Sequence, residues 1–196
     1  SPIERIDDLE MKRSYVIAKD GKPIYNRTYG WHTTSRRNKV TLDTCYRIAS
    51  VTKLVSAVGL MQLIEEKGID LDTPVKDIVG FPVVNPAFPQ EPITIRQVMS
   101  HTSSFVQTQY YHPNWENLRV GNKYFSAEVQ PGTAYAYSNL NGGLFGAMIE
   151  ALSGQSVNTY MQEHVFGPLG INAAYHCALL PDQSDLAPQL GKDGRI

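Results

Sequence analysis

The sequence predicts an α+β protein, with an antiparallel β-hairpin followed by a mainly helical region. Two runs rich in β-branched and aromatic residues, 14–18 and 23–29, flank a Lys-Asp-Gly-Lys turn, which is typical of a hairpin. Residues 50–67 repeat apolar side chains at helical spacing and are followed by Gly68, a common helix stop. With 42% apolar residues, the chain can bury a core of its own.

The first helix is the strongest of the helical predictions. It is expected to run from Ser50 to Lys67. Its apolar side chains are predicted to share one side: Leu54, Val55, Val58, Met61 and Ile64. A loop marked by four prolines follows, and Thr94 is the predicted N-cap of a short helix after it.

The second half of the chain is predicted to contain a long aromatic loop and two more helices. Residues 105–135 mix aromatic side chains with Asn, Gln and Gly without a clear period, and long loops of this kind are usually functional. We expect its part from Phe105 to Phe125 to wall a substrate cleft, with ordinary surface packing as the alternative. Helices are predicted at 139–152 and at 156–165, which end before a glycine and a proline.

The predicted elements divide the chain into three segments. Residues 1–49 hold the hairpin, residues 50–175 hold the first helix and the mainly helical region, and residues 176–196 form an irregular tail. An isolated two-stranded sheet is marginal in water and leaves both edges unpaired. We therefore expect the sheet to be incomplete, with its remaining strands in a C-terminal segment outside this sequence or in a second chain.

Composition excludes several classes of function. A net charge of −1 with no basic run argues against nucleic-acid binding. The longest apolar stretch, 54–64, is far shorter than the roughly 20 residues of a membrane span.

Cys45 and Cys177 are too few for a disulfide framework and are expected to be free thiols. The five histidines lack ligand spacing, so no metal site is predicted. The Ser-Pro start without a signal peptide indicates a processed or trimmed chain.

Ser50 and Lys53 form an SxxK pattern at the start of the first helix. The two side chains would share one helix face, and a serine becomes a nucleophile when a neighbouring base takes its proton. The N-terminus of a helix also favours the negative charge of an acyl-transfer intermediate. The alternative is an N-cap serine followed by a solvated lysine. Against it, a cation in the first turn opposes the helix dipole, which favours a catalytic pair.

Tyr137 and Asn139 form a second pattern, YxN, directly before a predicted helix. A tyrosine near a lysine can carry a proton, and an asparagine can hold the lysine and bind a substrate amide. The alternative is an aromatic core residue followed by an asparagine N-cap. Either pattern alone is short enough to arise by chance, so neither identifies a site without its surroundings.

Four blocks of the sequence place these patterns in a known context: YRIASVTKLVSAVGLMQLIEEKGIDLDTPV, ITIRQVMSHTSSF, PGTAYAYSNLNGGLFGAMIEALSG and HVFGPLGI. Their order and spacing resemble the serine β-lactamase and penicillin-binding-protein-like superfamily, over roughly residues 10–175. The branch most similar holds class C β-lactamases, D-alanyl-D-alanine carboxypeptidases and related esterases. The resemblance implies an antiparallel sheet flanked by helices and packed against a helical lobe.

The same resemblance implies the role of each site residue. Ser50 resembles the acylated nucleophile and Lys53 its proton acceptor or relay. Tyr137 resembles the residue that carries the proton to the leaving group and activates water, and Asn139 the side chain that binds the lysine and the substrate amide. The sequence leaves open which of Lys53 and Tyr137 is the base.

Two departures from the family pattern stand out. The third motif, Lys or His followed by Thr or Ser and then Gly, is not found in this sequence; residues 192–194 imitate it but are interpreted as a turn. Ser104 occupies a position where the family usually has glycine, which is expected to alter a loop near the cleft. The first departure agrees with the incomplete sheet, because that motif lies on a later strand.

The function predicted by the resemblance is that of a serine acyl hydrolase. Its expected substrates are β-lactams, D-amino-acid peptides of peptidoglycan type or small esters, and no cofactor is required. A non-catalytic penicillin-binding or sensor module and an inactive fragment of such an enzyme are the alternatives. The resemblance also implies a periplasmic or other extracytoplasmic bacterial location, with the cytoplasm as the alternative.

Overall fold

The chain folds into two compact units. The computed structural model describes residues 12–32, 38–107 and 122–188. One unit combines Ser1–Ala49 with Asn172–Ile196, and the other comprises Ser50–Ile171. This division differs from the predicted segments at the tail, which begins a few residues earlier than expected and belongs with the N-terminal part.

The first unit contains the predicted hairpin. Strand β1, Arg13–Lys19, pairs antiparallel with β2, Lys22–Tyr29. The two turn residues, Asp20 and Gly21, both have positive φ angles, of 52° and 73°, as a tight hairpin turn of the primed type requires. Ile24 is an extra residue in the register, because Ala18 faces Pro23 whereas the next pair is Ile17 with Tyr25. Most side chains of both strands are exposed, and these two strands form the sheet of the described residues.

The tail is attached to the N-terminal part by backbone and side-chain hydrogen bonds. Cys45 forms a parallel bridge with Leu186. Nearby, Nε2 of the buried His32 lies 2.8 Å from one carboxylate oxygen of Asp185, and the Thr44 hydroxyl donates to the other oxygen at 2.8 Å. The irregular tail is thus held in place by a backbone bridge and by the Asp185 carboxylate. Both cysteines, Cys45 and Cys177, are free thiols.

The second unit is mainly helical, as predicted. Its helices are α1 (Val51–Lys67), α2 (Val75–Val79), α3 (Ile95–Met99), α4 (Asn139–Ser153) and α5 (Val157–Met161). A π-helical turn, Gln162–Phe166, continues α5, and a 3₁₀ turn, Asn122–Tyr124, precedes α4. A further 3₁₀ turn, Cys177–Leu179, lies in the first unit. No described helix has both the length and the apolar character needed to cross a membrane.

Capping explains where these helices begin and end. Thr94 forms a full capping box with Gln97 at the start of α3, which confirms its prediction as an N-cap. Gly68 ends α1 in a left-handed conformation, with φ 62°. At α4 the cap is Ser138, whose hydroxyl accepts from the Leu140 N–H, so the alternative in which Asn139 caps this helix is wrong.

The core of the second unit surrounds α4, which packs against α1, α2, α3 and α5. Five of its side chains are completely buried: Leu140, Asn141, Leu144, Met148 and Ile149. At the closest approach of α1 and α5, a methyl group added at Gly59 would lie 2.3 Å from the Met161 sulfur. Glycine therefore lets the two helices meet at this point, as the interior packing requires.

The apolar side of α1 that the sequence indicates is only partly buried. The buried residues are Ser56, Gly59, Leu60, Leu63 and Ile64. Of the predicted apolar side, Leu54, Val58 and Met61 are 69%, 47% and 37% exposed. Because α1 is apolar around most of its circumference, the spacing of its side chains alone does not determine which face packs. We call the side formed by Val51, Leu54, Val58 and Met61 the open face of α1.

The described ends of the aromatic loop are part of the core. Phe105 and Phe125 stack with ring centroids 4.7 Å apart, and both are buried, as is Tyr124. These three side chains pack in the core, whereas the sequence predicts that residues 105–125 wall a cleft. The other aromatic residues of the loop, among residues 108–121, lie outside the described residues.

Ser104 adopts the conformation that explains glycine at this position in the family. Its φ is 62°, in the left-handed region, and its buried hydroxyl accepts a hydrogen bond of 3.0 Å from the Asn85 amide. The left-handed conformation costs a non-glycine residue about 1–2 kcal/mol. The hydrogen bond to the buried Asn85 offsets this cost.

We expect Ser104→Ala to lower the free energy of unfolding by about 1–3 kcal/mol, because a buried donor of Asn85 loses its acceptor. Ser104→Gly should be more stable than Ser104→Ala by about 1–2 kcal/mol, since it loses the same bond but relieves the backbone. Urea unfolding of the three proteins measures both differences. Equal stability of the two variants would contradict the strain at this position.

Candidate active site

The structure brings all four predicted site residues together within the second unit. Ser50 directly precedes α1 and Lys53 lies in its first turn, whereas Tyr137 and Asn139 lie at the start of α4. The Lys53 Nζ is 3.2 Å from the Ser50 Oγ, 2.8 Å from the Tyr137 hydroxyl and 2.9 Å from the Asn139 Oδ1. The hydroxyls of Ser50 and Tyr137 are 2.8 Å apart. Packing of α4 against α1 thus assembles one polar cluster.

The local structure at Ser50 differs from that of a capping serine. Its φ and ψ angles, −68° and −11°, are helical, and its side chain makes no capping hydrogen bond. The hydroxyl instead contacts Lys53 and Tyr137, so the alternative of an N-cap followed by a solvated lysine is wrong. Ala49, the preceding residue, has a φ of 45°, an uncommon value for alanine. Strained backbone of this kind is concentrated at functional positions.

The three hydrogen-bond acceptors around Lys53 match the three N–H groups of an ammonium. They converge on one nitrogen from two helix starts. Asn139 contributes only its side-chain oxygen to this set. As a charged donor, Lys53 can therefore serve all three acceptors at once.

Tyr137 is the site residue whose acidity is changed most clearly. The hydrogen bond from Lys53 and, secondly, that with Ser50 lower the pKa of its phenol below the ordinary value. The phenolate is thus favoured at a place where its oxygen lies within hydrogen-bonding distance of Ser50. This arrangement is chemically suited to proton transfer from a serine hydroxyl.

Two residues around this cluster were not singled out from the sequence. A methyl group added at Gly142 would lie 2.8 Å from Cε and 3.0 Å from Cγ of Lys53, so glycine leaves room for the lysine stem. The sequence does carry one signal for Gly142. Two adjacent glycines inside a predicted helix lower helix stability and are expected only where packing requires them. His101 stacks on Tyr137 with ring centroids 4.6 Å apart, and the sequence offered no signal for this beyond the presence of a histidine.

Metal-binding groups do not cluster in the described part of the chain. Within residues 12–32, 38–107 and 122–188, no three side chains of His, Cys, Asp or Glu lie close enough together to hold an ion. The polar cluster around Ser50 consists of hydroxyl, amine and amide groups, which suit proton transfer rather than coordination.

Comparison with known proteins confirms the resemblance and the fold class. The family described as Beta-lactamase matches residues 13–187. Penicillin-binding protein 4* of Bacillus subtilis is 26% identical over 183 residues, which cover 87% of this chain and 39% of that protein. The chain therefore spans well under half the length of this relative.

Two solved structures are similar in fold. The octameric penicillin-binding protein homologue from Pyrococcus abyssi has a TM-score of 0.77 and 28% identity, over 93% of this chain and 45% of that one. EstCE1, a hydrolase with promiscuous acyltransferase activity, has a TM-score of 0.73 and 23% identity, over 89% of this chain and 50% of that one. The helices and the small sheet described above thus have counterparts in longer chains.

Proposed function

Because the chain belongs to the beta-lactamase family, we propose that it is part of a serine acyl hydrolase that forms a covalent acyl-enzyme on Ser50. One observation carries this proposal: the Lys53 amine and the Tyr137 hydroxyl both lie within hydrogen-bonding distance of the Ser50 Oγ, at 3.2 and 2.8 Å. A nucleophile in contact with a proton acceptor that a third group orients is the pattern of covalent catalysis.

We assign the role of base to Tyr137 and that of a charged donor to Lys53. The Lys53 Nζ has one acceptor for each of the three N–H groups of an ammonium donor. The same ammonium stabilises a phenolate on Tyr137, in agreement with the lowered pKa of this phenol. Asn139 holds Lys53 in place through its side-chain oxygen. Of the two bases that the sequence left open, this proposal takes Tyr137.

The reaction then follows from these roles. Tyr137 takes the Ser50 proton as the Oγ bonds to the substrate carbonyl carbon, and the electron pair of the C=O bond moves onto its oxygen. The N–H of Ser50, at the positive end of α1, donates to this oxyanion. As the bond to the leaving group breaks, Tyr137 returns the proton to it. Water attacks the acyl-enzyme in the same way, with Tyr137 accepting its proton and then protonating the departing Ser50.

The substrate class is proposed from the family. A β-lactam, a D-amino-acid peptide of peptidoglycan type and a small ester each present one acyl carbon to Ser50. The name of the Bacillus subtilis relative supports a penicillin as the first probe, and an activated ester is the second. A peptidoglycan-type substrate would place the protein outside the cytoplasmic membrane, and cell fractionation tests this location.

We further propose that a polypeptide segment C-terminal to this sequence completes the sheet and the site. The chain covers 39% of the Bacillus subtilis relative and 45% of the Pyrococcus abyssi homologue. The hairpin exposes most of its side chains, and the open face of α1 exposes Leu54 at 69%. The missing segment would supply the third motif and a second oxyanion donor. The alternative is that a second chain completes the sheet and the site. Extending the sequence at its C-terminus distinguishes the two.

The proposed function is tested by covalent labelling. We expect the protein extended at its C-terminus to gain the mass of a fluorescent penicillin, or of an activated ester's acyl group, on Ser50. Absence of any adduct in the extended protein would overturn the proposal. An adduct that never hydrolyses would favour the penicillin-binding sensor, and labelling of the 196-residue chain alone would contradict the need for a further segment.

Ser50→Ala should abolish labelling without loss of stability, because Ser50 makes no capping bond. Ser156→Ala is the matched control, since Ser156 does cap α5, through a 3.1 Å bond from the Thr159 N–H. The control should lose about 1 kcal/mol of stability and keep full labelling. Intact mass and a thermal melt measure both effects. Labelling that persists in Ser50→Ala would assign the nucleophile to another residue.

A further inference from the structure

His101 contacts the segment that carries Tyr137, at one side of the candidate site. It follows α3 closely, has a φ of 57° and is half-buried. Its ring stacks on the Tyr137 ring, with a centroid distance of 4.6 Å and an interplanar angle of 26°. Its carbonyl accepts from the Ala136 N–H at 2.8 Å. The residue thus contacts the Tyr137 segment through both its backbone and its side chain.

The hydrogen bonds at Nδ1 determine the protonation state of His101. The Ser138 backbone N–H, which can only donate, lies 3.2 Å from Nδ1. The Asn141 Nδ2 lies 3.0 Å from the same nitrogen, and the Asn141 Oδ1 accepts from the Ser103 hydroxyl at 2.7 Å. Two donors therefore point at Nδ1, so this nitrogen carries no proton and the neutral ring carries it on Nε2.

Burial acts in the same direction as these bonds. Ser138 and Asn141 are fully buried, so a proton on Nδ1 would leave two buried donors without an acceptor. Burial of His101 and, secondly, the charge of Lys53 lower the pKa of the imidazole. The titratable groups that face the ring are Tyr135, Tyr137 and Lys53. A neutral ring adds no second cation beside the Lys53 ammonium.

We propose that His101 is a positioning residue for Tyr137: as a neutral imidazole with Nδ1 as acceptor, it fixes both the plane of the phenol and the start of α4. The chain between Tyr137 and Asn139 is anchored at its middle residue, Ser138, so one hydrogen bond orients two site residues at once. This inference rests on the proposed function, because its effect is measured as acylation of Ser50. His101 itself makes no contact with Ser50 in this role.

His101→Asn tests the ring and the hydrogen-bond acceptor separately, because it removes the ring and keeps an acceptor. Asparagine tolerates the left-handed backbone and offers an oxygen to the Ser138 N–H, but it has no ring to support Tyr137. We expect the limiting rate constant for acylation by a fluorescent penicillin to fall at least about tenfold, with the Kd of the non-covalent complex unchanged. A loss of general structure would instead lower the fraction of protein labelled.

His164→Asn is the matched control. His164 stacks on Tyr160 with nearly the same geometry, 4.5 Å and 24°, but in the α5 region and not at the candidate site. It should leave the acylation rate unchanged. If the extended wild-type protein is not labelled, the proposed function fails; if it is labelled and His101→Asn matches its rate, only the role of His101 fails.

A measurement on the unaltered protein covers the case in which His101→Asn does not fold. Long-range ¹H–¹⁵N correlation spectra distinguish the two neutral tautomers and the imidazolium of each histidine. We expect the His101 ring to be protonated on Nε2 only at neutral pH. A proton on Nδ1 would overturn the proposal, whatever the behaviour of the variants.

Discussion

Replacing Lys53 by methionine is expected to lower the rate of Ser50 acylation by about 10²–10⁴-fold, the usual contribution of a group that acts in proton transfer. Methionine has a similar length and retains the apolar stem but makes none of the three hydrogen bonds of the amine. Without the ammonium, the Tyr137 phenol loses the main cause of its lowered pKa. The acid limb of the rate–pH profile should therefore move to higher pH.

The fold should survive this change. A cation in the first turn of a helix opposes the dipole by about 0.3–1 kcal/mol, so its removal offsets part of the lost hydrogen bonding. Lys67→Met, in the last turn of the same helix, is the control and should acylate normally. Single-turnover labelling over a range of pH gives the acylation rates of the wild type, Lys53→Met and Lys67→Met. A Lys53→Met protein that reacts at the normal rate with an unmoved profile would exclude Lys53 from the chemistry.

Gly142→Ala is expected to slow acylation by about 10²-fold, although Gly142 has no functional group. Its new methyl group would lie 2.8 Å from Cε and 3.2 Å from Cδ of Lys53, so the lysine stem must move by a large part of an ångström. Displacements of about 1 Å can cost about 10²-fold in rate. Stability should change little. The helix preference of alanine over glycine, about 1 kcal/mol, offsets the cost of displacing the Lys53 stem.

Gly146→Ala is the matched control for this prediction. Gly146 lies one turn further along α4, and a methyl group added there meets no atom within 4 Å. We expect this variant to be slightly more stable and fully active. If Gly142→Ala and Gly146→Ala are acylated at the same rate, the close approach of α4 to Lys53 does not control the acylation rate.

Features that depend on neighbouring residues in the chain were predictable from the sequence. The hairpin follows from a turn whose two central residues accept positive φ, and α3 from the capping pair Thr94 and Gln97. The meeting of Ser50 with Lys53 is likewise a consequence of helical spacing. Their approach to Tyr137 came from family resemblance, because it depends on how α4 packs against α1.

Features that depend on packing between distant segments were not predictable in the same way. A helix such as α1, with apolar residues around most of its surface, has no single face that its spacing selects as buried. The aromatic residues Phe105 and Phe125 were assigned to a loop, but their stacked rings enter the core. Gly142 and His101 act through atoms that approach only in the folded state, so no short pattern identifies them.

The open face of α1 creates a conflict between solubility and assembly. Large exposed apolar side chains such as Leu54 and Val58 promote association of one molecule with another at high concentration. A charged substitution there would keep the isolated chain dispersed, but it would place an unpaired charge where a completing segment has to pack. Selection or engineering for expression of this chain alone is therefore expected to remove the surface that assembly of the proposed enzyme requires.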